Sequence, residues 1–206
     1  MTGRAYEQRR RAESAAETRR RILDAVATRL REAPTQPVSV DVVARMAGVA
    51  RSTVYVVFGS RAGLFDAFAT DLFERAGHDR LVEAVQHPDA AQTLRDGFRH
   101  TVGMYVPDRD VIRALHSMAQ LDPEAVGGAV QRIEAERSQG MATLARRLDE
   151  QGVLRTDVTQ HEAANVMWLL TSFEGFDLLY TGRGLGVEEI VTTLVTTAER
   201  TLFRTP

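Results

Sequence analysis

The chain has 206 residues, 44% of them hydrophobic and 26% charged, with a formal net charge of -2; this is enough to bury one or two cores and too apolar for a disordered chain. No run of about 18 apolar residues offers a membrane span, and the Arg-rich beginning lacks the apolar stretch of a secretory signal, so a cytoplasmic location is expected. Cysteine is absent, which excludes disulfides, thiolate zinc sites and cysteine nucleophiles.

All 26 basic residues are Arg, a usage that, with abundant Ala, reads first as the coding bias of a GC-rich genome. The small net charge conceals an asymmetry. Residues 1–68 hold 12 Arg against 7 acids, and the remaining 138 hold 14 Arg against 21 acids. A basic N-terminal part beside an acidic remainder points to a polyanion partner for the former, with a solvated Arg-rich tail as the alternative.

Spacings of three and four between apolar residues recur throughout, and the alternation of a sheet is missing, so the chain reads as all-α with about nine to ten helices. Residues 1–13, with Arg9, Arg10 and Arg11 in a row, read as a flexible arm. A helix follows from Ser14 to Glu32, with Ile22, Leu23, Val26 and Leu30 on one face, and Ala33-Pro34 stops it. Ser39 is placed to cap a second helix, with Val38 and Val43 as a hydrophobic staple. That helix ends at Ala47-Gly48. A short third helix covers Arg51–Val57 and stops at Phe58-Gly59. Ser60 caps a fourth that runs towards Gly77. Further helices are expected near Arg80–Gln86, Ala90–Val106, Asp108–Gln120, Pro123–Gln151, His161–Thr181 and Val187–Phe203. Thr159 with Glu162 makes a capping box for the next-to-last.

Residues 38–61 carry the chemistry. Two short helices joined by Ala47-Gly48-Val49 fit a helix-turn-helix. Ala44 is small where the two must cross, and Val49 and Val54 would bury the second against the first. Arg51, Ser52, Thr53, Tyr55 and Val56 then face away from that core. Such a helix fits the major groove, with its N-terminal residues against base edges.

The run from Ser39 to Arg61, with Ala47-Gly48-Val49, Thr53-Val54-Tyr55, Phe58-Gly59-Ser60 and Arg61 in register, resembles the DNA-binding signature of TetR-type transcriptional regulators. Thr18–Ala25 resembles that family's first helix, so the match covers about residues 16–68. The resemblance implies a three-helix DNA-binding domain at 14–59, after the arm at 1–13, and a helical ligand-binding and dimerisation domain at 60–206. It implies that Thr53 and Tyr55 hydrogen-bond phosphates and that Arg61 adds a charged phosphate contact near a helix N-terminus. Ser39 would contact a phosphate or only cap its helix. Arg51 and Ser52 are the candidate base readers, Arg51 by forking onto guanine, with a plain phosphate contact as its alternative. Val56 would meet a thymine methyl or pack, and Tyr55 could be partly core. The sequence departs from the family at Val56 and Val57, where polar or aromatic phosphate contacts are common, and at Ala50, where a Ser or Thr cap is common. The Arg-rich arm would reach DNA or stay solvated.

A single helix-turn-helix reads few base pairs, so a homodimer on a palindromic operator is expected. The resemblance puts the dimer interface on the last two long helices, with Leu170, Phe173, Leu178, Ile190 and Leu194 as candidates and intramolecular core as their alternative. It also implies a pocket for a small-molecule inducer. Tyr105, His116, Met141 and Trp168 would supply its walls, and Arg113, His100 and Glu174 its polar groups, with ordinary core the other reading of the apolar ones and a surface or satisfied core role that of the histidines. No enzyme motif survives inspection. His161-Glu162 lacks the second His of a zinc helix, and Gly182–Gly186 follows a helix rather than a strand. Neither a metal nor another cofactor is expected. The sequence therefore reads as a transcriptional regulator, in first place a repressor released by an inducer. An activator or a regulator without inducer is the alternative, and a helical enzyme or carrier that has lost DNA binding is the third reading.

Overall fold

The computed structural model describes residues 3–204, with side chains from Tyr6. Among them are eleven α-helices and no named strand, so the all-α expectation holds. The described residues fall into two compact units. One contains residues 3–71 with Arg113–Val130, the other Leu72–Ile112 with residues 131–204.

In the first unit α1 spans Gly3–Glu32, α2 Val40–Met46, α3 Arg51–Phe58 and α4 begins at Arg61. The expected flexible arm is instead the first part of α1, apart from Met1 and Thr2, which lie outside the described residues. The physical reason is local: Ala, Glu, Gln and Arg are strong helix formers, and Arg9 pairs with Glu13 four residues on. Ile22, Val26 and Leu30 form the buried stripe of α1, which packs on α2. The Ser39 side chain accepts from the Val42 N–H, which starts α2. Gly48 then takes a left-handed φ of 65°, a turn that non-glycine residues strain to make. Val54 is buried on α3, which packs on α2. Leu64, Phe65 and Phe68 of α4 are buried, as are Leu115 and Met118 of the later segment.

Gly63 has a role that no turn signal advertised. A Cβ there would lie 2.2 Å from the Phe58 carbonyl oxygen, so only glycine lets α4 leave α3 this tightly. The Ser60 Oγ accepts from the Gly63 N–H at 2.9 Å, as the sequence suggested for a cap.

In the second unit α5 (His78–Ala84), α10 (Phe173–Asp177) and α11 (Val187–Leu202) pack around α6 (Ala90–Tyr105), and α9 (Gln160–Leu170) packs on α10 and α11. Asp89 caps α6 through the Ala91 and Gln92 N–H groups at 2.8 and 3.1 Å. Arg95 Nε donates to Glu199 at 2.6 Å and ties α6 to α11. The Arg155 N–H donates to the Leu202 carbonyl at 2.9 Å and the Arg204 N–H to the Val153 carbonyl at 3.0 Å, clipping residues 202–204 to residues 153–155. The chain from α7 (Arg109–Leu121) to α8 (Gly128–Glu150) passes through a π-helical turn at Pro123–Gly127, inside the helix expected there.

The helix expected over His161–Thr181 is broken. It stops at Leu170, and Ser172 caps a new start by accepting from the Gly175 N–H. A five-residue π-helical segment, Leu178–Gly182, completes it. A hydroxyl that bonds to local backbone competes with the helix ladder, and two such residues, Thr171 and Ser172, sit at the break. No helix among the described residues is long and apolar enough to cross a membrane.

Candidate nucleic-acid interface

The outer face of α3 is polar and well supplied with donors. Arg51 and Ser52 are exposed, Thr53 is half-buried, and Tyr55 is partly exposed. Val56 is 86% exposed, the highest value of any large apolar side chain described. An apolar side chain this bare, one turn beyond Ser52, lies on the face that Val54 leaves outward. Ala50 offers no side-chain cap to α3, as its identity predicted.

Arg51 is already oriented. Its Nη1 donates to both carboxylate oxygens of Asp41 at 3.2 and 3.1 Å, and its Nη2 to the Tyr55 hydroxyl at 3.4 Å. Its guanidinium carbon is 5.6 Å from the Tyr55 ring centroid. The Tyr55 hydroxyl first, and the Asp41 charge next, raise its pKa still further above the ordinary Arg value. Asp41 was missed by the sequence reading. Ten residues separate it from Arg51, and only the turn at Gly48 brings α2 back alongside α3.

Arg61 is placed differently from the expected phosphate contact. Its Nε and Nη2 donate to the Val38 carbonyl at 3.1 and 3.0 Å, and its Nη1 to the Asp122 carboxylate. The guanidinium also lies over Phe65, 5.5 Å from the ring centroid. Val38 precedes α2, so its carbonyl has no place in a helix ladder, and Asp122 supplies the opposite charge. These inward partners outbid solvent for a half-buried guanidinium. Ser39 serves as a cap, the second of its two readings.

The expected pocket residues are divided between the two units. Arg113 and His116 belong to the first unit, and Tyr105, Met141, Trp168 and Glu174 to the second. Tyr105 is core. Its hydroxyl donates to the Thr171 carbonyl at 2.9 Å, and its ring meets Phe173 edge-on at 5.4 Å and Phe176 at 5.5 Å. Burial, opposed by the charge of Arg137, pushes its pKa up to about 12. Trp168 is partly exposed, with the Arg137 guanidinium 5.7 Å from its ring centroid. Arg137, absent from the sequence reading, also donates to the Trp168 carbonyl at 2.8 Å, to the Thr171 hydroxyl at 3.1 Å and to Glu134. Among the described residues no group of three acids or histidines could hold a metal ion.

Of the expected interface residues, Phe173, Ile190 and Leu194 are buried within one chain and cannot meet a second. The reason is the period of α11: Ile190, Val191, Leu194, Ala198 and Leu202 form its inner stripe. Leu170 is half-buried, while Leu178 is 68% exposed. Leu169, at 64%, and Trp168 are the exposed apolar neighbours that the sequence reading did not put in the interface.

The comparisons with known proteins bear on the N-terminal segment and on the fold. Residues 22–68 match the family model of bacterial regulatory proteins, tetR family. No curated protein sequence matches the chain. Among solved structures, NalD, the secondary repressor of the MexAB-OprM multidrug efflux pump in Pseudomonas aeruginosa, is similar at a TM-score of 0.74 and 23% identity, over 92% of this chain and 98% of its own. A TetR transcription regulator from Haloarcula marismortui follows at 0.72 and 17%, over 91% and 99%. A protein from Saccharomonospora viridis solved in complex with choline has a TM-score of 0.68 and 21% identity, over 92% and 100%. At these identities the likeness is one of fold.

Proposed function

We propose, from the match of residues 22–68 to the tetR family model, that this chain is a TetR-type homodimeric repressor released from a palindromic operator by a small molecule. One observation carries the reading: the exposed face of α3, with Arg51 held outward by Asp41 and Tyr55. Arg51 and Ser52 read base edges, and Thr53 and Tyr55 bind phosphates. Two copies of α3, roughly 34–36 Å apart, engage successive major grooves. The exposed Trp168, Leu169 and Leu178 are the surface that a second copy covers. The protein acts in the cytoplasm, where its operator lies.

Release needs an element that a ligand can bias. Within the first unit, the segment Arg113–Val130 is joined to the start of α2 and α4 through Asp122, Arg61 and the Val38 carbonyl. A shift of this segment re-aims the helix-turn-helix. An activator, or a regulator without inducer, remains the second reading, since the α3 face would serve it equally.

The test is duplex selection from a randomised library, followed by mobility-shift titration over a range of salt. A selected palindrome is the expected result. Arg51→Ala then relaxes the sequence preference, whereas Thr53→Ala weakens binding to all sequences alike. Failure to enrich any palindrome at low salt sinks the reading. If DNA binds but no compound in a metabolite library loosens it or raises thermal stability, the inducer is wrong and the second reading replaces the first.

A further inference from the structure

Helix α1 is longer than its domain requires. Ile22, Val26 and Leu30 are fully buried. Stepping back along the same stripe by three and four residues gives Arg19, Ala15 and Arg11, two arginines and a single methyl in place of large apolar groups. From Tyr6 to Glu17 every side chain is exposed. A dozen residues with no packing make a marginal helix on their own in water. What this stretch offers instead is charge. Arg9, Arg10 and Arg11 are consecutive, and of the three only Arg9 has a carboxylate partner among the described residues, Glu13 at 3.1 Å.

The stretch has a defined origin. The Arg19 guanidinium carbon lies 4.9 Å from the ring centroid of Phe58, the last residue of α3. The unpacked part of α1 therefore starts beside the end of the helix that carries Arg51 and Val56. The sixteen residues from Arg19 back to Gly3 extend it by about 24 Å at the helical rise. That is roughly seven base-pair steps at about 3.4 Å each.

We infer that residues 3–17 of α1 are a second DNA-contacting element, a basic helix whose Arg9, Arg10 and Arg11 neutralise phosphates flanking the base pairs that α3 covers. The inference rests on the DNA-binding reading above and adds a surface to it. Arginines bonded to phosphates carry no sequence information, so this helix supplies affinity and salt dependence while α3 supplies specificity. The Arg9–Glu13 pair is exposed and exchanges one acidic partner for another when DNA arrives.

The experiment uses the full chain and its library-selected duplex in two lengths, one trimmed to the palindrome and one with about ten added base pairs of arbitrary sequence on each side. The probes are wild type, the triple variant Arg9→Ala, Arg10→Ala, Arg11→Ala, and the triple Lys variant. Alanine preserves helix propensity, and circular dichroism verifies folding. Wild type is expected to bind the longer duplex about tenfold more tightly at moderate salt. The Ala variant should lose that gain and show a salt slope smaller by up to about 5, for six arginines per dimer. The Lys variant should keep both. An Ala variant with the wild-type slope and the wild-type dependence on flank length overturns the inference and leaves the DNA-binding reading intact. A wild-type protein that selects no duplex overturns both.

Discussion

Arg61 at the start of α4 and Asp122 after α7 are joined through the guanidinium Nη1, while the rest of the fork grips the Val38 carbonyl. The two are 61 positions apart in the chain. The Asp122 carboxylate also accepts from the Ala125 N–H, so one side chain caps a helical turn and anchors an arginine.

Removal of this arginine should be felt as lost stability as well as lost DNA binding. Arg61→Ala leaves the Val38 carbonyl and the Asp122 carboxylate short of a donor, and a cost of about 1–3 kcal/mol in urea denaturation is expected. A double-mutant cycle with Asp122→Asn should return a coupling energy on the order of 1 kcal/mol. Independent additivity of the two would mean that the pair does not couple.

The same pair sets an acid limit. The hydrogen bond from Arg61 is the chief cause that lowers the Asp122 pKa below the ordinary Asp value. Its contribution is therefore complete above the unfolded value of about 3.9, and is lost as pH falls through the lower folded value. Asp89, Asp157 and Glu162 are lowered too, so wild type keeps an acid-dependent slope after Asp122 is neutralised. Melts of wild type and Asp122→Asn between pH 7 and about pH 2 should converge as the solution becomes acid. A constant gap across that range would dissociate Asp122 from acid stability.

Tyr105 gives a test of the core. Tyr105→Phe keeps the ring contacts with Phe173 and Phe176 and deprives the buried Thr171 carbonyl of its donor. A loss of about 1–2 kcal/mol is expected. If ligand recognition rather than packing were its role, stability would stay put and only the response to ligand would change.

Val56 gives a test of base reading. If it covers a thymine methyl, replacing thymine by uracil at one position of each half-site should weaken wild-type binding about three- to fourfold per methyl, from about 0.8 kcal/mol for one carbon. Val56→Ala should blunt that sensitivity. Equal affinity for thymine and uracil at every position would leave Val56 without a base partner. Asp41→Ala should in parallel lower the discrimination contributed by Arg51, because its fork loses an orienting carboxylate.

Exposure separates the proposed dimer surface from the core in the second unit. Leu178→Glu should give a folded monomer by sedimentation, since the side chain is exposed in a single chain. Ile190→Glu should instead unfold the chain, because it buries a charge in the core. A Leu178→Glu protein that stays dimeric would move the interface elsewhere.

Much of the fold and of the reading head was legible in the chain itself. The caps at Ser39, Ser60 and Thr159, the turn at Gly48 and the inner stripe of α1 depend on residues three or four apart, or on one residue's backbone freedom. Local chemistry decides these, and they appear where expected. The motif from Ser39 to Arg61 belongs to the same class, because its residues are contiguous. The beginning of α1 was misjudged because a run of arginines suggests solvation, although Ala and Glu between them favour a helix.

Tertiary structure decided which partner each polar or apolar group takes. The family resemblance assigned Arg61 to phosphate, and could not show that Val38 and Asp122 lie on its inner side. It listed Phe173, Ile190 and Leu194 beside Leu178 because all are apolar at helical spacing. Only packing separates those that one chain already buries from those it leaves bare. Tyr105 and Trp168 diverge for the same reason, one sealed under α10 and the other half in solvent. Periodicity shows that a side chain has an inner or an outer face. The identity of what lies against that face is set by residues of other helices, from 10 positions away for Asp41 to 61 for Asp122, and only the folded chain brings them together.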